Sequence, residues 1–69
     1  FLKKLQLEHP QLSHGDLKLA AYLRMNLSTK EIAQLLNITV RSVELKRYRL
    51  RKKLNITTDE NLNDLMMKI

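Results

Sequence analysis

Residues 29–48, TKEIAQLLNITVRSVELKRY, decide the fold of this chain of 69 residues. Two runs with helical spacing of apolar residues flank Asn37-Ile38-Thr39, which leaves a turn of about three residues between them. A small residue, Ala33, occurs where two such helices must approach closely. The segment therefore predicts two helices that pack together across a tight turn. The apolar residues expected in their contact are Ile32, Leu36, Ile38, Val40 and Val43.

An Asn-x-Ser/Thr tripeptide occurs three times, at residues 26–28, 37–39 and 55–57. Asn tolerates the left-handed conformation that ends a helix, and Ser or Thr accepts the free amides that begin the next one. Each copy therefore predicts a helix end followed by a helix start. The same tripeptide is a glycosylation acceptor, but nothing else in the sequence indicates secretion. Three capping boxes are also predicted: Ser13 with Asp16, Ser28 with Glu31, and Thr57 with Glu60.

These signals predict an all-α domain of four helices, at about residues 14–25, 29–36, 40–54 and 58–68. We expect the first to be central, because it is apolar on much of its circumference. Before it, Phe1, Leu2 and Leu5 indicate the end of an earlier helix that stops near His9, because Pro10 disfavours helical geometry in the preceding residue. We therefore assign residues 1–11 to the end of an upstream helix or a linker, and residues 12–69 to the domain.

Residues 39–54, TVRSVELKRYRLRKKL, hold the entire charge excess of the chain. Seven basic residues against one acid, Glu44, give this segment a net charge of +6, equal to that of the whole chain. Because one acid cannot relieve the repulsion among seven bases, we expect an anionic partner. Duplex DNA fits, since it carries one negative charge per about 1.7 Å of axis.

The same segment has two distinct faces when it is drawn as a helix of about 100° per residue. The apolar stripe expected to pack inward is Val40, Val43, Leu50 and Leu54. The opposite pole carries Arg41, Leu45, Tyr48 and Lys52, flanked by Glu44, Lys46, Arg49, Arg51 and Lys53. Arg47 lies beside the inward stripe, and we expect its head to reach water.

Composition excludes several other classes of protein. Without cysteine the chain has neither disulfides nor thiolate metal ligands, and no apolar run approaches the ~20 residues that span a bilayer. His9 and His14 share no helix face, so we expect no metal site. There is no nucleophile–base–acid set and no Gly-rich phosphate loop, so we expect neither enzymatic activity nor a cofactor. A cytoplasmic location is expected.

Two helices in this arrangement, the second of them basic, form a helix-turn-helix pattern. Residues 12–69 resemble the LuxR/NarL type of helix-turn-helix domain, the C-terminal output domain of bacterial transcriptional regulators, and most closely those of the Bacteroidetes. The resemblance rests on LSHGDLKLAAYLRMNLSTKEIAQLLNIT (12–39) and SVELKRYRLRKKL (42–54). It implies sequence-specific binding of double-stranded DNA, with the third predicted helix in the major groove. It also implies upstream regulatory or sensor domains, as in response regulators of two-component systems.

In that family, bases and backbone are contacted from positions matching Glu44, Leu45 and Tyr48, with nearby cations on phosphates. The predicted DNA contacts are Lys30, Arg41, Glu44, Leu45, Lys46, Tyr48, Arg49, Lys52 and Lys53. The family often has Lys in place of Glu44 and His in place of Lys46. Glu44 is expected either to accept from cytosine N4 or to pair with Arg41 or Arg51.

The fourth predicted helix is the candidate contact of a homodimer on DNA, through Leu62, Leu65, Met66 and Ile69. The same stripe would equally fit against the first and third helices of its own chain. Two other interpretations stay open at this point. The basic helix would suit a protein-interaction module that docks an acidic partner, and the helix-turn-helix is also similar to region 4 of a sigma factor. Sigma region 4 usually ends near residue 54, so the fourth helix favours the LuxR type.

Overall fold

The computed structural model describes residues 2–56 and 61–69, and these residues form helices without strands. The helices are α1 (Leu2–Glu8), α2 (His14–Arg24), α3 (Thr29–Leu36), α4 (Val40–Lys53) and α5 (Leu62–Lys68). The all-α prediction is confirmed, with α1 as the predicted preceding helix. The predicted first residues of α2, α3 and α4 are confirmed as well. None of the described helices is long and apolar enough to cross a membrane.

The three repeated asparagines end α2, α3 and α4 in the predicted way. Asn26, Asn37 and Asn55 have φ values of 59°, 57° and 57°, and no other non-glycine residue among those described has a positive φ. After α3, Asn37 N–H donates to Gln34 O at 3.3 Å and Ile38 N–H to Ala33 O at 3.0 Å. The same pair of bonds follows α2 and α4. This Schellman geometry satisfies the last carbonyls of each helix and reverses the chain within three residues.

Helix starts follow the predicted capping chemistry. Ser13 Oγ accepts from Asp16 N–H at 3.2 Å, while Asp16 Oδ2 accepts from Ser13 N–H at 2.9 Å. Ser28 and Glu31 form the same reciprocal pair, at 3.1 and 2.9 Å. The backbone N–H of Ser28, followed by its side chain, holds the pKa of Glu31 below its usual value. The box predicted for Thr57 and Glu60 lies outside the described residues.

Helix α5 begins at Leu62, four residues later than predicted. Asn61 is its N-cap: its backbone is extended and its Oδ1 accepts from the amides of Asn63 at 2.8 Å and Asp64 at 3.4 Å. Asn caps a helix as well as Thr does, so a sequence with both types of residue offers two starting points. The described helix α5 follows Asn61.

Helix α2 lies at the centre, as predicted. It packs against α1, α4 and α5, while α3 packs against α4. The α1 residue Leu5 is fully buried, so α1 contributes to the same core as the other helices. The buried apolar residues are Leu5, Leu12, Leu19, Ala20, Leu23, Ile32, Ala33, Val43, Leu50, Leu62 and Met66.

The prediction that Val40 packs inward is wrong, because 43% of its surface is exposed. Val40 is the first residue of α4, at the end of the helix nearest the turn. Val43 is buried one turn further on, and Ile38 packs against the core from within the turn itself. Ile38 and Val43 thus fill the part of the core that Val40 was expected to occupy.

Candidate nucleic-acid interface

Helix α4 has one buried edge and one exposed edge. Val43 and Leu50 are fully buried, and Leu54, which follows the helix, packs partly buried against the same core. On the opposite side, Leu45 is 45% exposed and Tyr48 is 55% exposed. The predicted division of the helix into an inner stripe and an outer pole is therefore confirmed for these residues.

All nine residues predicted to contact DNA have exposed side chains. Eight of them lie on α4 and Lys30 lies on α3. They are Lys30, Arg41, Glu44, Leu45, Lys46, Tyr48, Arg49, Lys52 and Lys53. Thr39 begins the helix by accepting the Ser42 N–H at 3.1 Å, so the first turn that carries Arg41 is held in place locally.

Tyr48 and Lys52 form a pair on the exposed pole. Lys52 Nζ lies 4.9 Å from the centre of the Tyr48 ring, close enough for a cation–π interaction. Residues four apart are neighbours on a helix surface, so the pair needs no other element to hold it. The outer pole thus presents an aromatic ring and a cation together, with Leu45 beside them.

Lys53 has an intramolecular partner that sequence reasoning missed. Its Nζ forms an ion pair with Asp16 Oδ2, and its carbonyl accepts from Gln11 Nε2 at 2.9 Å. Burial raises the pKa of Asp16, but the bond from Lys53 and the bonds from Ser13 outweigh it and lower that pKa below its ordinary value. The two residues are 37 positions apart, so no local pattern in the sequence indicates their contact. Of the predicted phosphate contacts, Lys53 is thus already partly neutralised within the fold.

The prediction for the head of Arg47 is wrong. Its Nη1 donates to Asn63 Oδ1 in α5 at 3.0 Å, and the side chain is half-buried. Burial, followed by the positive charge of Arg51, lowers the pKa of Arg47. The inner edge of α4 therefore carries a charged group that a buried amide holds in place. Sequence reasoning missed Asn63, because its side-chain partners lie 16 to 37 positions away along the chain.

Glu44 is exposed and makes no side-chain hydrogen bond or ion pair with another residue that the structure describes. The pairing with Arg41 or Arg51, one of the two predicted roles, is therefore not formed. The acceptor role stays a prediction, and the carboxylate is accessible for it.

The apolar stripe of α5 faces its own chain. Leu62 and Met66, predicted as dimer contacts, are instead buried against the core that α2 organises, and Leu65 and Ile69 are half-buried. The one large apolar residue that α5 exposes is Met67, at 48%. Since a short helix has only one such stripe, burying it here leaves little of it for a second copy.

Residues 22–54 match the family model described as Sigma-70, region 4. The match runs from near the end of α2 through α3 and the turn to the residue after α4, just under half of the chain. Region 4 is a helix-turn-helix DNA-binding domain, so the helix-turn-helix interpretation of residues 29–48 is supported by this match. No curated protein and no solved structure matches the chain.

Proposed function

We propose that this domain binds double-stranded DNA sequence-specifically, with α4 in the major groove and α3 supporting it. One observation carries the proposal: the segment with all of the net charge of +6 is a helix whose apolar edge is buried and whose cations and Tyr48 are exposed. The fourteen residues of α4 make a helix about 21 Å long. A helix is about 10–12 Å in diameter with its side chains, so it fits a major groove about 12 Å wide. The match to Sigma-70, region 4 supports the same function.

The exposed residues divide by the kind of contact that their chemistry allows. Arg41, Glu44, Leu45 and Tyr48 lie in the first three turns of α4, and we assign them to bases or to bracing the helix in the groove. The flexible cations Lys46, Arg49 and Lys52 suit phosphates, as does Lys30 on α3. Lys53 would contact a phosphate while its Nζ is also paired with the Asp16 carboxylate.

A titration of duplex DNA at two salt concentrations tests the proposal. We expect Arg49→Glu with Lys52→Glu to weaken binding to every sequence, because two phosphate contacts become repulsive. The matched control is Lys3→Glu with Lys4→Glu, which makes the same change of charge on α1, among exposed residues outside the proposed interface. If both double variants lose affinity equally, or if neither does, the assignment of α4 to DNA is wrong.

The role of the domain in a larger protein has two candidate forms. The match over residues 22–54 favours a domain like region 4 of a sigma factor, whereas the additional helix α5 favours the LuxR/NarL type of regulator. In the second form the chain would act as the output domain of a bacterial transcriptional regulator with sensor domains upstream. Selecting bound sequences from a random DNA pool separates them: a palindrome indicates a dimeric regulator, and a single asymmetric site indicates the sigma-like form.

An acidic protein partner is the other class of ligand that a basic helix would suit. The same titration distinguishes it, because DNA binding through phosphates weakens steeply as salt is raised. If the domain does not bind random duplex DNA even at low salt, the acidic protein partner is favoured.

A further inference from the structure

Asn63 is the buried polar residue at the junction of three parts of the fold. It is 9% exposed, and no other polar residue among those described is buried. Its Oδ1 accepts from Arg47 Nη1 of α4 at 3.0 Å. Its Nδ2 donates to Leu27 O at 2.9 Å and to Asn26 Oδ1 at 3.4 Å, both in the turn before α3. The side-chain amide of Asn63 therefore links α5 both to α4 and to the turn that precedes α3.

We propose that Asn63 is a positioning residue for DNA recognition: it fixes α4 relative to the turn before α3 without contacting DNA. The inference rests on the proposed function and deepens it. Arg47 lies in the same turn of α4 as Glu44 and Tyr48, which point away from the core. A rotation of α4 about its axis would thus move these two exposed side chains directly.

The physical reason lies in the environment of Arg47. Its guanidinium is half-buried and stands near the like charge of Arg51, so it needs an acceptor at its position. Asn63 supplies one and is itself held by the Leu27 carbonyl. Without the Asn63 amide, the guanidinium loses this acceptor, and the side-chain bond that ties this edge of α4 to α5 is removed.

Base contacts and phosphate contacts respond differently to a rotation of α4. Lys46, Arg49 and Lys52 have long flexible stems, so they still reach phosphates after a small shift of the helix. Hydrogen bonds to base edges depend on distance and direction and do not tolerate the shift. Loss of Asn63 should therefore lower discrimination between sequences more than it lowers affinity for DNA in general.

The test compares Asn63→Ala with Asn61→Ala in the 69-residue chain. Asn61 is the matched control, because it caps α5 through the backbone N–H of Asn63 but has no contact with Arg47, so it tests the cap apart from the Asn63 side chain. The measured quantity is the ratio of affinities for a selected duplex and a random duplex. We expect a drop of about three- to tenfold in this ratio for Asn63→Ala, with an unchanged salt slope, and no drop for Asn61→Ala. Equal drops, or an unchanged ratio in Asn63→Ala, would overturn the inference.

Arg47→Met tests the same contact from α4. It keeps an apolar stem but removes the donor, so it should lower the ratio as Asn63→Ala does, and the double variant should add nothing further. This variant also serves if Asn63→Ala does not fold. Additive losses in the double variant would mean that the bond between the two residues is not the cause.

A measurement without DNA separates failure of this inference from failure of the proposed function. In NMR spectra of the free protein, we expect Asn63→Ala to shift amides of residues 44–48 and Asn61→Ala to leave them in place. If wild type binds no duplex but these shifts occur, the positioning of α4 holds and the DNA-binding proposal fails. If wild type binds DNA and the shifts are absent, Asn63 does not position the helix.

Discussion

At the scale of single residues, Glu44 is the acid in a helix of bases. It stands exposed without an intramolecular partner among the described residues, although Arg41 is one turn away on the same helix. If this face of α4 binds DNA as proposed, an exposed carboxylate on it is unfavourable unless it meets a hydrogen-bond donor. The exocyclic amine of cytosine in the major groove is such a donor.

Replacing Glu44 by Ala, which removes the acceptor as well as the charge, should therefore change sequence preference more than affinity. We expect discrimination at one C·G position to fall by about 1–3 kcal/mol, the usual value of a base contact, while binding to random duplex strengthens because an acid is removed. Competition with duplexes that carry each base at that position measures the effect. If the order of preference among the four bases is unchanged, Glu44 does not read a base.

At the scale of elements, the turn between α3 and α4 depends on the left-handed conformation of Asn37, at φ 57°. Glycine adopts this conformation freely, whereas alanine pays a steric cost of about 1–2 kcal/mol. Asn37→Ala should lower the free energy of unfolding by roughly that amount, and Asn37→Gly should leave it nearly unchanged. Urea unfolding of the two variants checks the prediction, and an equal loss in both would mean that the Asn side chain, rather than its φ, is what the turn needs.

The starts of α2, α3 and α4 were predictable because their signals are local. Asn at a left-handed position and Ser or Thr at a cap act within a few residues, so Ser13, Ser28 and Thr39 could be assigned from the sequence alone. The outward face of α4 followed from the helix period, which also acts locally. These are the parts of the fold and of the candidate site that the structure confirms.

What could not be predicted depends on contacts between distant residues. The bond from Arg47 to Asn63 spans 16 positions and the ion pair of Lys53 with Asp16 spans 37. A helix period indicates which edge of a helix faces inward, but not which polar group of another helix meets it there. The start of α5 at Leu62, later than predicted, was hard to assign because several polar residues near it in the sequence could each act as a cap.

At the scale of the whole molecule, α4 is attached along its inner edge and at its end. Val43 and Leu50 pack in the core, Arg47 is held by α5, and Lys53 is held by the first turn of α2. The outer pole is exposed along the same length. This arrangement presents the charged surface on a helix that is fixed to the core, and less ordering is then needed for the proposed binding than a flexible basic tail would require.

The Lys53–Asp16 contact makes the attachment of α4 dependent on pH. Because the pKa of Asp16 is below its ordinary value of 3.8 in the folded protein, its ionised form stabilises the fold above that pH. The contribution is lost as the pH falls through the lowered pKa. Half-exposed ion pairs and helix caps are each worth up to about 1 kcal/mol, so we expect a loss of ~1 kcal/mol.

Urea unfolding of wild type and Asp16→Asn at several pH values measures this loss. Asn keeps an acceptor for the Ser13 amide but removes the charge, so wild type should be the more stable at pH 7, and the difference should shrink as the pH falls below 3.8 and Asp16 becomes protonated. Glu31 also has a lowered pKa, and the comparison cancels its contribution because Glu31 is present in both proteins. The ion pair joins the end of α4 to the start of α2. In a Lys53→Met background, Asp16→Asn should therefore change the free energy of unfolding much less than it does in wild type. A difference between wild type and Asp16→Asn that persists unchanged to pH 2 would show that the charge of Asp16 does not stabilise this junction.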